Sequence, residues 1–180
     1  MASNDAPMHG GVAAVVVSHR PDPQALDALL QALRPQVGAL VLVDNGSIGH
    51  RDALQAACDR HAVKLIANPG NPGQAAGLNQ GIRAARRRGA SRVLLMDQDS
   101  LPAPGMVEAL QAALDHLQAT EKVAAVGPVA VDLRTGHPAP FVRIGFPFNR
   151  KRQAAPGERL RCDFLITSGC LVPVEVLDAV

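Results

Sequence analysis

Asp97 and Asp99 stand two residues apart, directly after the apolar run Val93-Leu94-Leu95-Met96. If the chain stays extended past Met96, the alternation of side chains along a strand points both carboxylates to the same side. Two oxygen ligands at the mouth of a sheet suit a hard divalent cation, Mg²⁺ or Mn²⁺, which keeps positions open for water and for phosphate oxygens. Such an ion would neutralise the charge that builds on a departing diphosphate, which is Lewis-acid assistance to a leaving group. The same aspartates also fit a plainer role, capping the following helix or ending a strand. Two more polar groups follow apolar runs: Ser18-His19-Arg20 after residues 12–17, and Asp44-Asn45-Gly46-Ser47 after residues 39–43. Asp44 suits an Asx turn without any ligand; beside a second acidic strand end it also suits a hydrogen bond to a nucleobase. Of six histidines only His19 falls at an expected strand end, and their scatter has no metal-ligand spacing.

The turn-rich segment Asn68-Pro69-Gly70-Asn71-Pro72-Gly73 could let backbone approach a ligand. Gly73, Gly77 and Gly81 recur every four residues, and close packing of a smooth helix face on a sheet explains them at least as well. Asn79 is either a site residue or an exposed one. Arg83, Arg86, Arg87, Arg88 and Arg92 form the most basic cluster. They suit a solvated helix end that complements its dipole, and otherwise a peripheral contact with an anionic membrane surface.

The elements that must position these residues follow from periodicity. Residues 12–17 and 39–43 are short continuous apolar runs, the signature of strands buried on both faces. Leu26, Leu29, Leu30 and Leu33 fall at helical spacing between them, with Asp22 as N-cap and Pro23 in the first turn. A helix is expected over about 50–60, then a strand over 63–67. A further helix carries Ala75, Leu78, Ile82 and Ala85 and stops at Gly89. Residues 92–96 give a fourth strand, Val107, Leu110, Leu114 and Leu117 another helix, and residues 123–131 at least one more strand. This alternation predicts an α/β fold, a Rossmann-like, mostly parallel sheet with helices on both faces. Residues 132–163 read as a long irregular excursion, and order resumes near Phe164. Residues 1–11 are expected to be a disordered tail, and residues 12–180 one domain that ends in the first turns of a helix near Pro173, so the fold is expected to be C-terminally incomplete.

A chain of 180 residues with 47% hydrophobic and 19% charged residues is globular and long enough for one sizeable core. That core must be aliphatic, because Phe, Trp and Tyr together make up 2%. A net charge of +2 is too small for a nucleic-acid binder. No run approaches the ~18–20 apolar residues that span a bilayer, and no secretory signal is visible. Cys58, Cys162 and Cys170 are odd in number and lack a CxxC, which fits a reducing compartment, with the cytoplasm as default.

In order along the chain, Ser18 with Pro21-Asp22, the run Val41-Leu42-Val43-Asp44-Asn45-Gly46-Ser47, Asn68-Pro69-Gly70, Gly77-Leu78-Asn79-Gln80-Gly81, Leu94-Leu95-Met96-Asp97-Gln98-Asp99-Ser100-Leu101-Pro102 and Thr167-Ser168-Gly169 resemble the family 2 inverting glycosyltransferases of GT-A fold. Asp97-Gln98-Asp99-Ser100 points to the rhamnosyltransferase-like branch. The resemblance implies transfer of a sugar, rhamnose from a dTDP or otherwise UDP-linked donor, with inversion, to a glycan or lipid-linked acceptor in cell-surface polysaccharide synthesis. It implies that Asp44 binds the nucleobase, that Asp97 lies against the ribose or the metal, that Asp99 ligates the metal, and that Ser18, His19, Arg20 and Asn79 line the nucleotide-sugar pocket. His19-Arg20 departs from the Tyr-Asn-like pair common in the family, and the turn at 70–73 carries an extra Pro-Gly. The family's general base follows shortly after the Ser-Gly strand and is expected beyond Val180; Asp163, Glu175 and Asp178 are the nearest carboxylates, none in the expected context.

A sugar nucleotidyltransferase should carry a Gly-rich basic loop after the first strand, an NAD-binding domain G-x-G-x-x-G, and a P-loop G-x-x-x-x-G-K-[ST]. Ser18-His19-Arg20-Pro21-Asp22-Pro23 is none of these. A non-catalytic α/β scaffold is the remaining alternative, favoured by the missing base.

Overall fold

Four apolar runs become four parallel strands of one sheet in the computed structural model, which describes residues 11–155 and 157–179. The expected N-terminal tail lies outside the described residues except for Gly11, whose carbonyl accepts hydrogen bonds from the amides of Ser91 (3.2 Å) and Arg92 (3.3 Å). The elements are β1 (Val12–Ser18), α1 (Pro23–Leu33), β2 (Ala39–Asp44), α2 (Arg51–Arg60), β3 (Lys64–Ala67), α3 (Gln74–Arg87), β4 (Arg92–Asp97), α4 (Met106–Gln118), β5 (Phe141–Arg143), β6 (Arg150–Arg152), β7 (Cys170–Pro173) and α5 (Val174–Asp178). The sheet runs β3-β2-β1-β4-β7, parallel except for β7, and β5 and β6 form a separate antiparallel pair.

The core is aliphatic and sits on both sides of the sheet. Val12, Ala14 and Val16 of β1 face α1, α2 and α4, with Leu26, Leu29, Leu30, Leu33, Leu54 and Leu114 among the packed residues. Ala13 and Val15 face the other way, against Ile82 and Ala85 of α3. A strand buried on both faces must be apolar at every position, which is why β1 and β2 read as unbroken runs. At the ends of the helices the expected caps are present: the Asp22 carboxylate accepts from Ala25 N at 2.8 Å, and Gly89 takes a left-handed φ of 81° after α3.

The glycine face of α3 divides in two. A Cβ on Gly81 would lie 2.2 Å from Val15 Cγ1, and one on Gly77 would lie 2.9 Å from Val17 Cγ1, so both let helix and sheet approach closely. Gly73 does not share that reason. It meets nothing within 4 Å, and its φ of 93° makes it a conformational hinge at the helix start.

One expected strand is absent. Residues 123–131 form no ladder; they make isolated bridges at Val126 to Leu171 and at Val131 to Pro138. Pro128 has no N–H to give, and Val129 and Val131 face solvent, so the segment lacks both a continuous donor row and a buried side. The excursion that follows is not structureless either, because it contains the β5–β6 hairpin. Among the described residues no helix is long and apolar enough to cross a membrane.

Candidate functional site

Register places the chemistry. Ser18 pairs with Asp44 across β1 and β2, and Val17 pairs with Asp97 across β1 and β4. The ends of three adjacent parallel strands therefore lie level, with the backbones of Asp44 and Asp97 two strand spacings apart, about 10 Å. The chain order reverses at β1, with β2 and β3 on one side and β4 on the other. In open α/β sheets a crevice opens at such a switch point, beyond the C-terminal strand ends, and ligands bind there. The three polar groups singled out in the sequence meet at this edge.

Their hydrogen bonds knit the crevice walls. Asp44 is buried; its Oδ1 accepts from Ser18 Oγ (3.2 Å) and Ser47 Oγ (2.5 Å), and its Oδ2 accepts from Ser47 N (2.9 Å). Ser47 Oγ in turn accepts from Arg20 N at 2.8 Å. Arg20 itself is exposed and holds a left-handed φ of 47°, a conformation costly for a residue with a Cβ and here fixed by that bond. His19 spans the switch point: its amide donates to Gln98 Oε1 at 2.8 Å, and its Nδ1 lies 2.7 Å from the carbonyl of Asn45, which makes Nδ1 the protonated ring nitrogen. The Asn45 side chain donates to Gly73 O (3.0 Å) and accepts from Asn68 Nδ2 (3.0 Å), joining the turn at 68–73 to the end of β2. Gly46 and Gly70 touch backbone to backbone there, since a Cβ on Gly46 would lie 2.6 Å from the Gly70 carbonyl carbon.

The acidic pair differs in its surroundings. Asp97 is half-buried and Asp99 exposed. Gln74, the first residue of α3, donates to Asp97 Oδ1 at 3.0 Å. Burial, and then the negative charge of Asp99, push the Asp97 carboxyl above the usual carboxylate range, and the Gln74 bond only partly opposes this. No ion pair with Lys, Arg or His forms at either carboxylate among the described residues. Two like charges without a counter-charge at a crevice mouth fit a divalent cation. No cluster of three or more His, Cys, Asp or Glu side chains that could hold a metal occurs among the described residues. Two carboxylates, with the other positions open to water or phosphate oxygens, would suit Mg²⁺, whose sites commonly keep several waters.

Asn79 sits apart from this site. It lies two residues, about 200° of helical rotation, from Gly77, whose face packs on β1, so it points away from the sheet, and it is exposed. The residues that join the network instead are Gln74, Gln98, Asn45, Asn68 and Ser168, whose Oγ lies 3.5 Å from Asp97 N. Gln98, Asn45, Asn68 and Ser168 each lie in a segment that the sequence marks; Gln74 has no such signal. β7 delivers Ser168, and Gly169 behind it has a φ of 85° and a hypothetical Cβ only 2.6 Å from the Pro128 ring. The three carboxylates nearest the Ser-Gly segment are elsewhere. Asp163 Oδ2 accepts from Ile144 N at the hairpin. Glu175 and Asp178 lie on α5, which follows Pro173, and Pro173 pairs with Arg92 at the far edge of β4, about 16 Å from Asp97 along the strand.

Residues 14–177 match the sequence model of glycosyl transferase family 2. A dTDP-rhamnosyl transferase of Shigella flexneri, RfbF, is 30% identical over 176 residues, which are 96% of this chain and 57% of that protein. The chain thus spans little more than half the length of the curated relative it matches. Among solved structures, TarS 1-349 of S. aureus superposes with a TM-score of 0.55 at 14% identity, over 96% of this chain and 49% of that one. A 4-diphosphocytidyl-2C-methyl-D-erythritol synthase from Anaerococcus prevotii gives 0.54 at 10% identity, over 93% and 73%. At these identities the two structures speak for the fold alone, and it is the expected α/β fold.

Proposed function

The chain belongs to glycosyl transferase family 2, and from that premise we propose that its crevice binds a nucleoside-diphosphate sugar, dTDP- or UDP-linked with rhamnose as the sugar, for transfer with inversion to a glycan or lipid-linked acceptor. The observation that carries this reading is the level alignment of Asp44 and Ser18 with the un-neutralised Asp97–Asp99 pair across the switch point. An ionised carboxylate has about four acceptor positions. Protein donors take three of those on Asp44, and the one left on Oδ2 suits the imide N–H of thymine or uracil, which cytosine lacks. Asp44 also holds Ser47, and through it Arg20, so the loop presents a cation on a fixed backbone beside the base.

Asp99, with Asp97 beside it, would hold Mg²⁺ or Mn²⁺ against the diphosphate, and the ion when bound would offset charge on the leaving group. Asp97 is oriented by Gln74, and His19 is oriented by Gln98 and Asn45, so the walls on both sides of the switch are set before a ligand arrives. The deprotonation of the acceptor hydroxyl is assigned to no described carboxylate, because α5 places Glu175 and Asp178 at the wrong edge of the sheet.

Calorimetric titration with dTDP and UDP, with and without Mn²⁺, tests the proposal. Binding is expected to require the metal and to fall by at least about tenfold, roughly 1.4 kcal/mol, in Asp99→Ala. A folded chain that binds neither nucleotide would instead support a scaffold, and binding unaffected by Asp99→Ala would remove the metal from the reading.

A further inference from the structure

The chain has four phenylalanines and no Trp or Tyr, and all four phenylalanines fall between residues 141 and 164. None belongs to the core. Phe146 is fully exposed, Phe148 80%, Ile144 69% and Phe164 60%. Three of these, Ile144, Phe146 and Phe148, sit on the connection between β5 and β6, at the tip of the hairpin. The same segment is also strongly basic. Arg143, Arg150, Lys151, Arg152, Arg159 and Arg161 stand against one acid, Glu158, so residues 141–161 carry net +5 while the rest of the chain sums to −3 within a total of +2. Arg143, Arg150, Arg152, Arg159 and Arg161 line a cavity of about 310 Å³. Arg152 pairs with Glu158 and Arg161 with Glu121; Arg143, Arg150, Lys151 and Arg159 make no ion pair among the described residues. At the end of α3, by contrast, Arg86 pairs with Asp178, and Arg92 of β4 with Asp115. Arg83 and Arg87 of α3 are also exposed without an ion pair among the described residues, but the exposed phenylalanines lie with the hairpin's cations.

We propose that the β5–β6 hairpin docks on an anionic lipid surface, with Ile144, Phe146 and Phe148 entering the interfacial layer and the unpaired basic side chains facing lipid phosphates. Large apolar residues rimmed by cations mark interaction surfaces, and the combination of an apolar tip with a polybasic collar is the physical requirement for peripheral membrane binding. A second copy is a poor occupant, because each hairpin would bring net +5 against net +5. Single-stranded nucleic acid would need aromatic rings spaced along a groove, whereas these project from one tip. The inference does not depend on the nucleotide crevice.

Co-sedimentation of the full chain with phosphatidylserine–phosphatidylcholine vesicles, against phosphatidylcholine alone, tests it. Binding is expected only to the anionic vesicles and is expected to weaken with salt. The pair Arg150→Gln and Lys151→Gln should cost about twenty-five-fold, from about fivefold per basic side chain near such a surface. Phe146→Ser with Phe148→Ser should cost at least about tenfold. All four positions are exposed, so circular dichroism and the unfolding midpoint should not change. Asp99→Ala should bind vesicles as the unaltered chain does. A folded chain that ignores anionic vesicles, or one indifferent to both variant pairs, would overturn the proposal. So would a dimer dissolved by the phenylalanine variants without vesicle binding, capture of a single-stranded oligonucleotide in place of vesicles, or release from vesicles by inorganic pyrophosphate at low concentration, which would make the arginine cavity a site for free phosphate.

Discussion

Residues 12–97 and residues 129–166 solve opposite problems. The first region threads four strands through the middle of the molecule and leaves one large hydrophobic side chain, Ile48, exposed; the second leaves eight exposed, from Val129 to Ile166. In the first, nearly every position of β1 and all of β2 are buried between helices, so the polar groups of these strands lie where the strands run out. Chemistry at the C-terminal edge is then a consequence of packing. In the second, short pieces of ladder hold a surface together without a core of their own, and the side chains are free to meet something outside. The comparison teaches that rigidity and site geometry come from the parallel half, while the excursion supplies contact surface.

The largest expected effect separates the two regions directly. Leu30→Ala, which deletes a fully buried side chain of α1, should cost about 3–5 kcal/mol in urea unfolding, against less than about 0.5 kcal/mol for Leu133→Ala at an exposed position. Equal costs would erase the distinction between core and surface halves. Thiol chemistry gives the next contrast. Burial pushes the Cys58 thiol up to about 12 and Cys170 up to about 11. At pH 8 Cys58 then carries about a thousandfold less thiolate than a thiol of ordinary pKa near 9, before any steric shielding. Alkylation followed by mass spectrometry should modify Cys162, which is half-buried within the excursion, well before either of the others. Early labelling of Cys58 would mean that the parallel half opens readily.

The smallest effect is electrostatic. Hydrogen bonds from Arg60 and then His61 hold the Asp27 carboxyl below its usual range. A carboxyl depressed in the folded state stabilises it above the unfolded value, near 3.9, and loses that contribution as pH falls through the folded value. Asp27→Asn should therefore cost less than about 1 kcal/mol near neutrality, because the pair is solvent-exposed, and the two proteins should converge once the pH has fallen below the folded value of Asp27. A larger penalty in chemical denaturation would show that surface charge carries more of the α1–α2 contact than packing does.

Most of the parallel half was legible because it obeys simple periodicities. Residues 12–17 and 39–43 are apolar at every position, and the four leucines of α1 keep a strict helical spacing. The positions of Asp44, Asp97 and Ser18 followed from the strand ends alone. Asn79 is less tractable, because its direction depends on which helix face is small, and Gly77 and Gly81 carry that information. Gln74, which orients Asp97, is a first-turn residue with no periodic signature, and Ser168 arrives from the turn before β7, 71 residues away in sequence. The stretch 123–131 looked like a strand because its valines suit one, but Pro128 and the absence of a covering layer prevent a ladder. The hairpin is illegible for the reverse reason, since β6 is Arg150-Lys151-Arg152, with no apolar alternation at all.

The path from Phe164 to Gly169 acts as a leash of fixed length. Phe164 is tied to Val142 of the hairpin, and Gly169 is tied to Leu95 of β4 by a 2.8 Å hydrogen bond. Five fully stretched residues reach at most about 17 Å. The chain between these two anchors thereby sets an upper limit on how far the root of the hairpin can stand from β4, the strand that ends at Asp97.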